Sequence, residues 1–202
     1  MEFEFLSIRK PVEDVVLREK GSRFLNFAYP VRNETEIKDR LAHLRNLHPK
    51  ANHHCYAYRL GTNGEQYRAN DDGEPNGSAG LPIYNQLLAH DVTNILLVSV
   101  RYFGGIKLGV GGLVRAYKES AKMCLQEAEI VRRELQMSLE VTFDFAQQNS
   151  IFTLLNRYDA KIINFEAAQQ CLITALVRAA SVEELCHQLS ELRSVDFEIK
   201  ED

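Results

Sequence analysis

Apolar residues along the chain recur with two different periods, and the switches between them mark out the elements. Residues 23–31 read as an extended segment ended by Pro30. Asn33 followed by Glu36 has the form of a capping box. Ile37, Leu41, Leu44 and Leu47 then recur at helical spacing until Pro49, so a helix is expected there. Residues 53–60 and 95–101 are strand-like, and the second contains the longest apolar run, Ile95 to Val100, interrupted only by Ser99. A turn-rich stretch at 61–82 separates them, with a short helix expected at 83–90. After a glycine-rich segment at 104–112, apolar positions 117, 121, 124, 128, 131 and 135 step by four and three, as one face of a helix does.

The remainder reads β-α-β-β-α-β. Leu139, Val141 and Phe143 alternate, a helix is expected from about 146 to 158, and strands at 160–166 and 170–178. Ser181 is placed to cap a helix carrying Leu185, Leu189 and Leu192, before a last strand at 194–199. That order is the ferredoxin-like split βαβ pattern. All eleven glycines lie at or before Gly112 and all five prolines at or before Pro82. The shift in composition divides the chain near 132–137, into units expected at 1–134 and 135–202 of an α+β protein.

A chain of 202 residues with 45% hydrophobic and 26% charged residues is ordinary globular material, which excludes disordered and fibrous classes. No apolar run approaches a membrane span. The acidic start, Met-Glu-Phe-Glu-Phe, has no basic and apolar leader pattern, so no secretory signal is expected. Cys55, Cys124, Cys171 and Cys186 are scattered without a CxxC pair, which fits reduced thiols and a cytoplasmic location. The net charge of −4 is unevenly spread. Up to residue 135 there are 19 Lys+Arg against 17 Asp+Glu, and from 136 onward 5 against 11. The second unit therefore repels polyanions, whereas the first has cations to present to one.

Three clusters carry candidate chemistry. In the first, Arg101-Tyr102-Phe103 lead into Gly104, Gly105, Lys107, Gly109, Gly111, Gly112, Arg115 and Lys118. Five glycines in nine residues between a strand and a helix permit close backbone approach. Free N–H groups at the helix start suit an anion, and the cations add to this, so a phosphate or nucleic-acid backbone contact is expected. The alternative is a tight crossover whose glycines serve packing. Walker A is excluded because Val110 and Gly111 follow Gly109, and a dinucleotide fingerprint because Val114 stands at its third glycine. In the second cluster, Asp71, Asp72 and Glu74 offer oxygen ligands to a divalent cation, or else build a turn with Gly73 and Gly77; the turn is the favoured reading. In the third, His53 and His54 precede Cys55 on a strand, where only His53 and Cys55 share a face. His53, His54 and Ser78 are candidates to line a site. No nucleophile–base pair is evident, so no catalytic residue and no cofactor is assigned.

These residues resemble the IMPACT (YigZ) family: His53-His54-Cys55, Asp71 to Pro75 with Gly77, Ala79, Gly80 and Pro82, and Arg101 to Gly105 through Gly109, Gly111 to Leu113 and Arg115 to Tyr117. The resemblance spans nearly the whole chain. It departs at Ser78, where the family often has threonine. It implies an N-terminal domain similar to domain 2 of ribosomal protein S5, then a ferredoxin-like domain similar to the last domain of elongation factor G. Eukaryotic relatives regulate translation during amino-acid starvation. The expectation is thus a cytosolic binding protein whose partner is RNA or the ribosome, regulatory in translation and without a membrane role. The competing expectations are a metal-dependent enzyme acting on a phosphorylated small molecule, and a protein-recognition module whose acidic second unit docks a partner.

Overall fold

A computed structural model describes residues 3–200. Its contacts divide the chain into two compact units, one running to Arg133 and the other beginning at Glu134. The first contains β1 (Glu4–Ile8), β2 (Val12–Glu19), β3 (Ser22–Pro30), α1 (Glu34–Leu47), β4 (His53–Leu60), β5 (Gln66–Asn70), α2 (Gly80–Ala89), β6 (Ile95–Tyr102), α3 (Gly109–Gln126) and β7 (Ile130–Glu134).

Five strands form an antiparallel sheet in the order β2-β3-β6-β4-β5, and β1 pairs with β7 separately. The central strand explains the long apolar run, because both of its faces are covered. Ile95 and Leu97 join Phe24, Ala28, Cys55 and Ala57 under α2 and α3. Leu96, Val98 and Val100 join Phe27, Tyr29, Tyr56 and Tyr58 under α1. α1 begins where the capping signal placed it: Asn33 accepts the Glu36 N–H at 3.0 Å, and Glu36 accepts the Arg32 N–H at 3.0 Å.

Five elements depart from the expectation. β1 and β2 precede the first expected strand, and β5 lies inside the stretch read as turns. β2 and β5 are edge strands with exposed positions on both faces, so their patterns carry little alternation. α3 ends at Gln126, and residues 130–134 turn into β7. With no glycine or proline there, the helical spacing of 128, 131 and 135 continues past the real end by coincidence.

The second unit comprises β8 (Gln136–Phe143), α4 (Gln148–Arg157), β9 (Lys161–Ala167), β10 (Cys171–Arg178), α5 (Ala179–Ser190) and β11 (Val195–Lys200). Its antiparallel sheet has the order β11-β8-β10-β9, which is the ferredoxin-like arrangement read from the sequence. Leu139, Val141, Phe143, Ile173, Ala175 and Val177 face Ile151, Leu155, Leu185 and Leu189. α5 starts at Ala179, two residues before the expected cap Ser181. Among the described residues no helix is long and apolar enough to cross a membrane.

Candidate functional site

Residues 71–80 fold into a turn built around Asp71. One of its carboxylate oxygens accepts the N–H groups of Ala79 (2.9 Å) and Gly80 (2.8 Å), and the other accepts that of Gly77 (2.8 Å). Asp71 thereby takes the Ala79 and Gly80 N–H groups at the start of α2, where Ala79 has no side chain to cap the helix. Asp72 accepts the His54 N–H at 2.6 Å and the Arg45 guanidinium at 2.9 Å, so it pins the turn to β4 and α1. Ser78 is buried and donates to the Pro75 carbonyl at 2.6 Å. The carboxylates thus serve the turn, and among the described residues no three metal-ligating side chains come together.

Glu74 carries the turn into the core. It accepts Arg101 Nη1 at 2.6 Å and the Tyr117 hydroxyl at 2.7 Å on the same oxygen, and both partners are buried. Arg101 is therefore not a surface cation, which corrects its assignment as a phosphate contact. It lies on the α3 side of β6, its guanidinium over the Phe24 ring and its second terminal nitrogen 3.4 Å from Ser22 Oγ. The acidic turn and the strand leading into the glycine segment do meet, but through a dry ion pair instead of an open cleft. Tyr102, a candidate of the same cluster, is committed to protein partners. It is half-buried, hydrogen-bonded to His48 Nδ1 at 3.0 Å and covered by the Arg23 guanidinium.

The three β4 residues separate as strand geometry requires. Cys55 packs with the α2–α3 core, and its sulfur lies 3.0 Å from the Asp71 carbonyl and 3.3 Å from the Tyr117 hydroxyl. Burial pushes both the Cys55 thiol and the Tyr117 hydroxyl well above their ordinary ionisation ranges, so both stay protonated near neutral pH. His53 Nδ1 donates to the Asp72 carbonyl at 2.9 Å and is half-buried. His54 points to the α1 side and is buried, and burial holds its pKa below the ordinary 6.5. The folded state keeps the neutral ring while the unfolded chain takes up a proton near 6.5, so stability is lost as pH falls below that value. A plot of thermal midpoint against pH between about 7.5 and 5 should be flatter in His54→Gln than in the wild type.

The glycine segment sorts into distinct demands. Gly104 packs directly on Gly21 in the β2–β3 turn, and a Cβ there would land in the Gly21 carbonyl. Gly105 and Gly109 have φ of +86° and +69°. Gly111 is helical and exposed, and a Cβ there would meet nothing within 4 Å. Neither packing nor backbone conformation calls for glycine at 111. Leu108 precedes α3 without a side-chain cap, so the first N–H groups of this 18-residue helix have no side-chain acceptor at the N-cap. Lys107, Arg115 and Lys118 are exposed around this end, with no ion-pair partner among the described residues. Phe103, 45% exposed, is the aromatic beside them.

Two contributors escaped sequence reasoning. Exposed Lys20 precedes Gly21 in the turn that packs on Gly104; its sequence signal is Lys20-Gly21 between two strands, the first of which shows little alternation. Tyr117 stands on the apolar face of the expected helix, and nothing in its spacing reports the hydroxyl's partner.

The Impact N-terminal domain family model matches residues 20–125. The IMPACT family member YigZ of Escherichia coli is 35% identical over 179 residues, covering 88% of each chain. The IMPACT family member YvyE of Bacillus subtilis is 30% identical over 197 residues, covering 98% of this chain and 90% of that protein. A crystal structure of a hypothetical protein, 32% identical and covering 100% of each chain, superposes with a TM-score of 0.76.

Proposed function

This chain belongs to the IMPACT family, and we propose that within it the chain binds the phosphate backbone of RNA, on the ribosome or free, in a regulatory role in translation. The observation that carries this reading is the open N-terminus of α3. Uncapped N–H groups and a glycine at 111 that the fold does not need lie there, with unpaired Lys107 just before the helix and unpaired Arg115 and Lys118 within its first three turns. Amides and dipole favour an anion at a helix start, and glycine lets a phosphate approach the backbone. Arg115 and Lys118 continue the charge along α3, and Phe103 offers a ring for stacking. The acidic balance of the second unit directs a polyanion to the first. No observation favours the enzyme reading, because Asp71, Asp72 and Glu74 are already engaged by protein donors.

The test is RNA and ribosome binding at several salt concentrations. Lys107→Ala/Arg115→Ala/Lys118→Ala should weaken binding and reduce the salt slope by about 2, at 0.7–0.9 per phosphate contact. Gly111→Ala should stabilise the helix by about 0.5–1 kcal/mol yet bind more weakly. Binding that ignores salt, or no binding by the wild type, overturns the proposal.

A further inference from the structure

The segment between β6 and α3 exposes large apolar side chains as well as a cation. Phe103 is 45% exposed, Ile106 56% and Val110 57%. No carboxylate occurs between Arg101 and Lys118, so these side chains stand in purely cationic surroundings. Apolar exposure concentrated in this way marks a contact surface.

Phe103 is held in place from several sides. Its N–H donates to Asn52 Oδ1 at 2.8 Å, and the Asn52 N–H donates to the Arg101 carbonyl at 2.9 Å. The next residue is tied as well, since the Gly104 N–H donates to Ser22 Oγ at 3.2 Å. The Arg101 guanidinium stands over the Phe103 ring, 5.7 Å from its centroid. That guanidinium is itself buried and gripped by Glu74, and its Nε has no acceptor among the described residues. The ring thus rests on a fixed cation and turns the rest of its surface to solvent.

We propose that Phe103 stacks an unpaired base, so that the RNA held at the start of α3 is single-stranded. Ile106 and Val110 add apolar contact to neighbouring bases. This inference rests on the phosphate-binding function proposed above and narrows its ligand class. A duplex turns phosphates, 2′-hydroxyls and groove edges outward and keeps its base faces stacked inside. Against a duplex, Phe103, Ile106 and Val110 would find no apolar surface to cover. Unpaired nucleotides offer base faces that stack on an aromatic ring whatever their sequence, while Lys107, Arg115 and Lys118 take the phosphates. Because Arg101 and Asn52 fix the ring beforehand, little side-chain freedom is lost on stacking.

The test sets an oligouridylate of about 12 nucleotides against an RNA duplex of about 12 base pairs, on the intact chain at about 0.15 M salt. Wild type should bind the single strand about tenfold more tightly or better, a margin that one stacked base supplies. Phe103→Ala should lose that preference yet keep the salt slope for the single strand, because the ring touches no phosphate. Ile106→Ala/Val110→Ala, at two exposed positions, should lose part of it with an unchanged thermal midpoint. The chain has no tryptophan, so Phe103→Trp places its one indole at the proposed contact and keeps a ring there. Its fluorescence should be quenched by the single strand and not by the duplex. Equal, salt-dependent affinity for the two RNAs leaves phosphate binding standing and overturns this inference alone. An indole that stays unquenched in the bound single strand does the same. Failure of the wild type to bind either RNA overturns both.

Discussion

Glu74→Ala is expected to destabilise the protein by about 3–5 kcal/mol and lower its thermal midpoint by on the order of 10 °C. The side chains of Glu74 and Arg101 are 4% and 6% exposed and lie 2.6 Å apart. Removing the carboxylate leaves a guanidinium in a dry site, which is worse than removing both charges. The Tyr117 hydroxyl loses its acceptor in the same step, and the loop from Asp71 to Gly80 loses its anchor to α3. Arg101→Met/Glu74→Leu should therefore be milder than Glu74→Ala. Glu74→Gln, which keeps an acceptor, should fall between wild type and Glu74→Ala. Chemical and thermal unfolding measure all three. A loss below about 1 kcal/mol for Glu74→Ala would show that water reaches Arg101 and that the pair is not structural.

Gly104→Ala should lower stability by about 3 kcal/mol or more, the upper end of overpacking effects, because both colliding groups are backbone. The new Cβ would fall in the Gly21 carbonyl, and a Cβ on Gly21 would in turn lie 2.8 Å from the Gly104 carbonyl oxygen. Neither can rotate away as a side chain would. Ser22 Oγ also ties this contact together, accepting the Gly104 N–H at 3.2 Å. Separating the two segments therefore shifts the turn bearing Lys20 and the approach to α3. Gly104→Ala should lose RNA binding along with stability, whereas Gly111→Ala should lose binding while gaining stability. Unfolding midpoints set beside binding curves distinguish these. Equal stability of Gly104→Ala and wild type would remove the backbone contact from the account.

Family, fold class and the position of the glycine-rich helix start were legible because they depend on local order. A capping box at Asn33 and Glu36 needs only neighbours in sequence, and alternation in β8 and β10 follows from the two-residue repeat of any half-covered strand. The edge strands were less legible, since exposure on both faces erases alternation. The fate of each charge was not legible at all. Arg101 reads as a surface cation next to glycines, and Lys107 reads the same way. Only the folded chain, bringing Glu74 against Arg101 and leaving Lys107 with water, tells them apart. Likewise Gly104 and Gly111 are one letter in one motif, separated by whether Gly21 lies against them.

By itself, then, the sequence determined which segments become strands and helices over most of the chain, and that a glycine-rich helix start carries cations. Periodicity, caps and composition act over a few residues and leave their record in order along the chain. The tertiary structure decided which cations are free and which glycines are packing. Those properties belong to pairs of residues far apart in sequence, and burial, which sets the energy of a charge or a collision, exists only once the pairs have met.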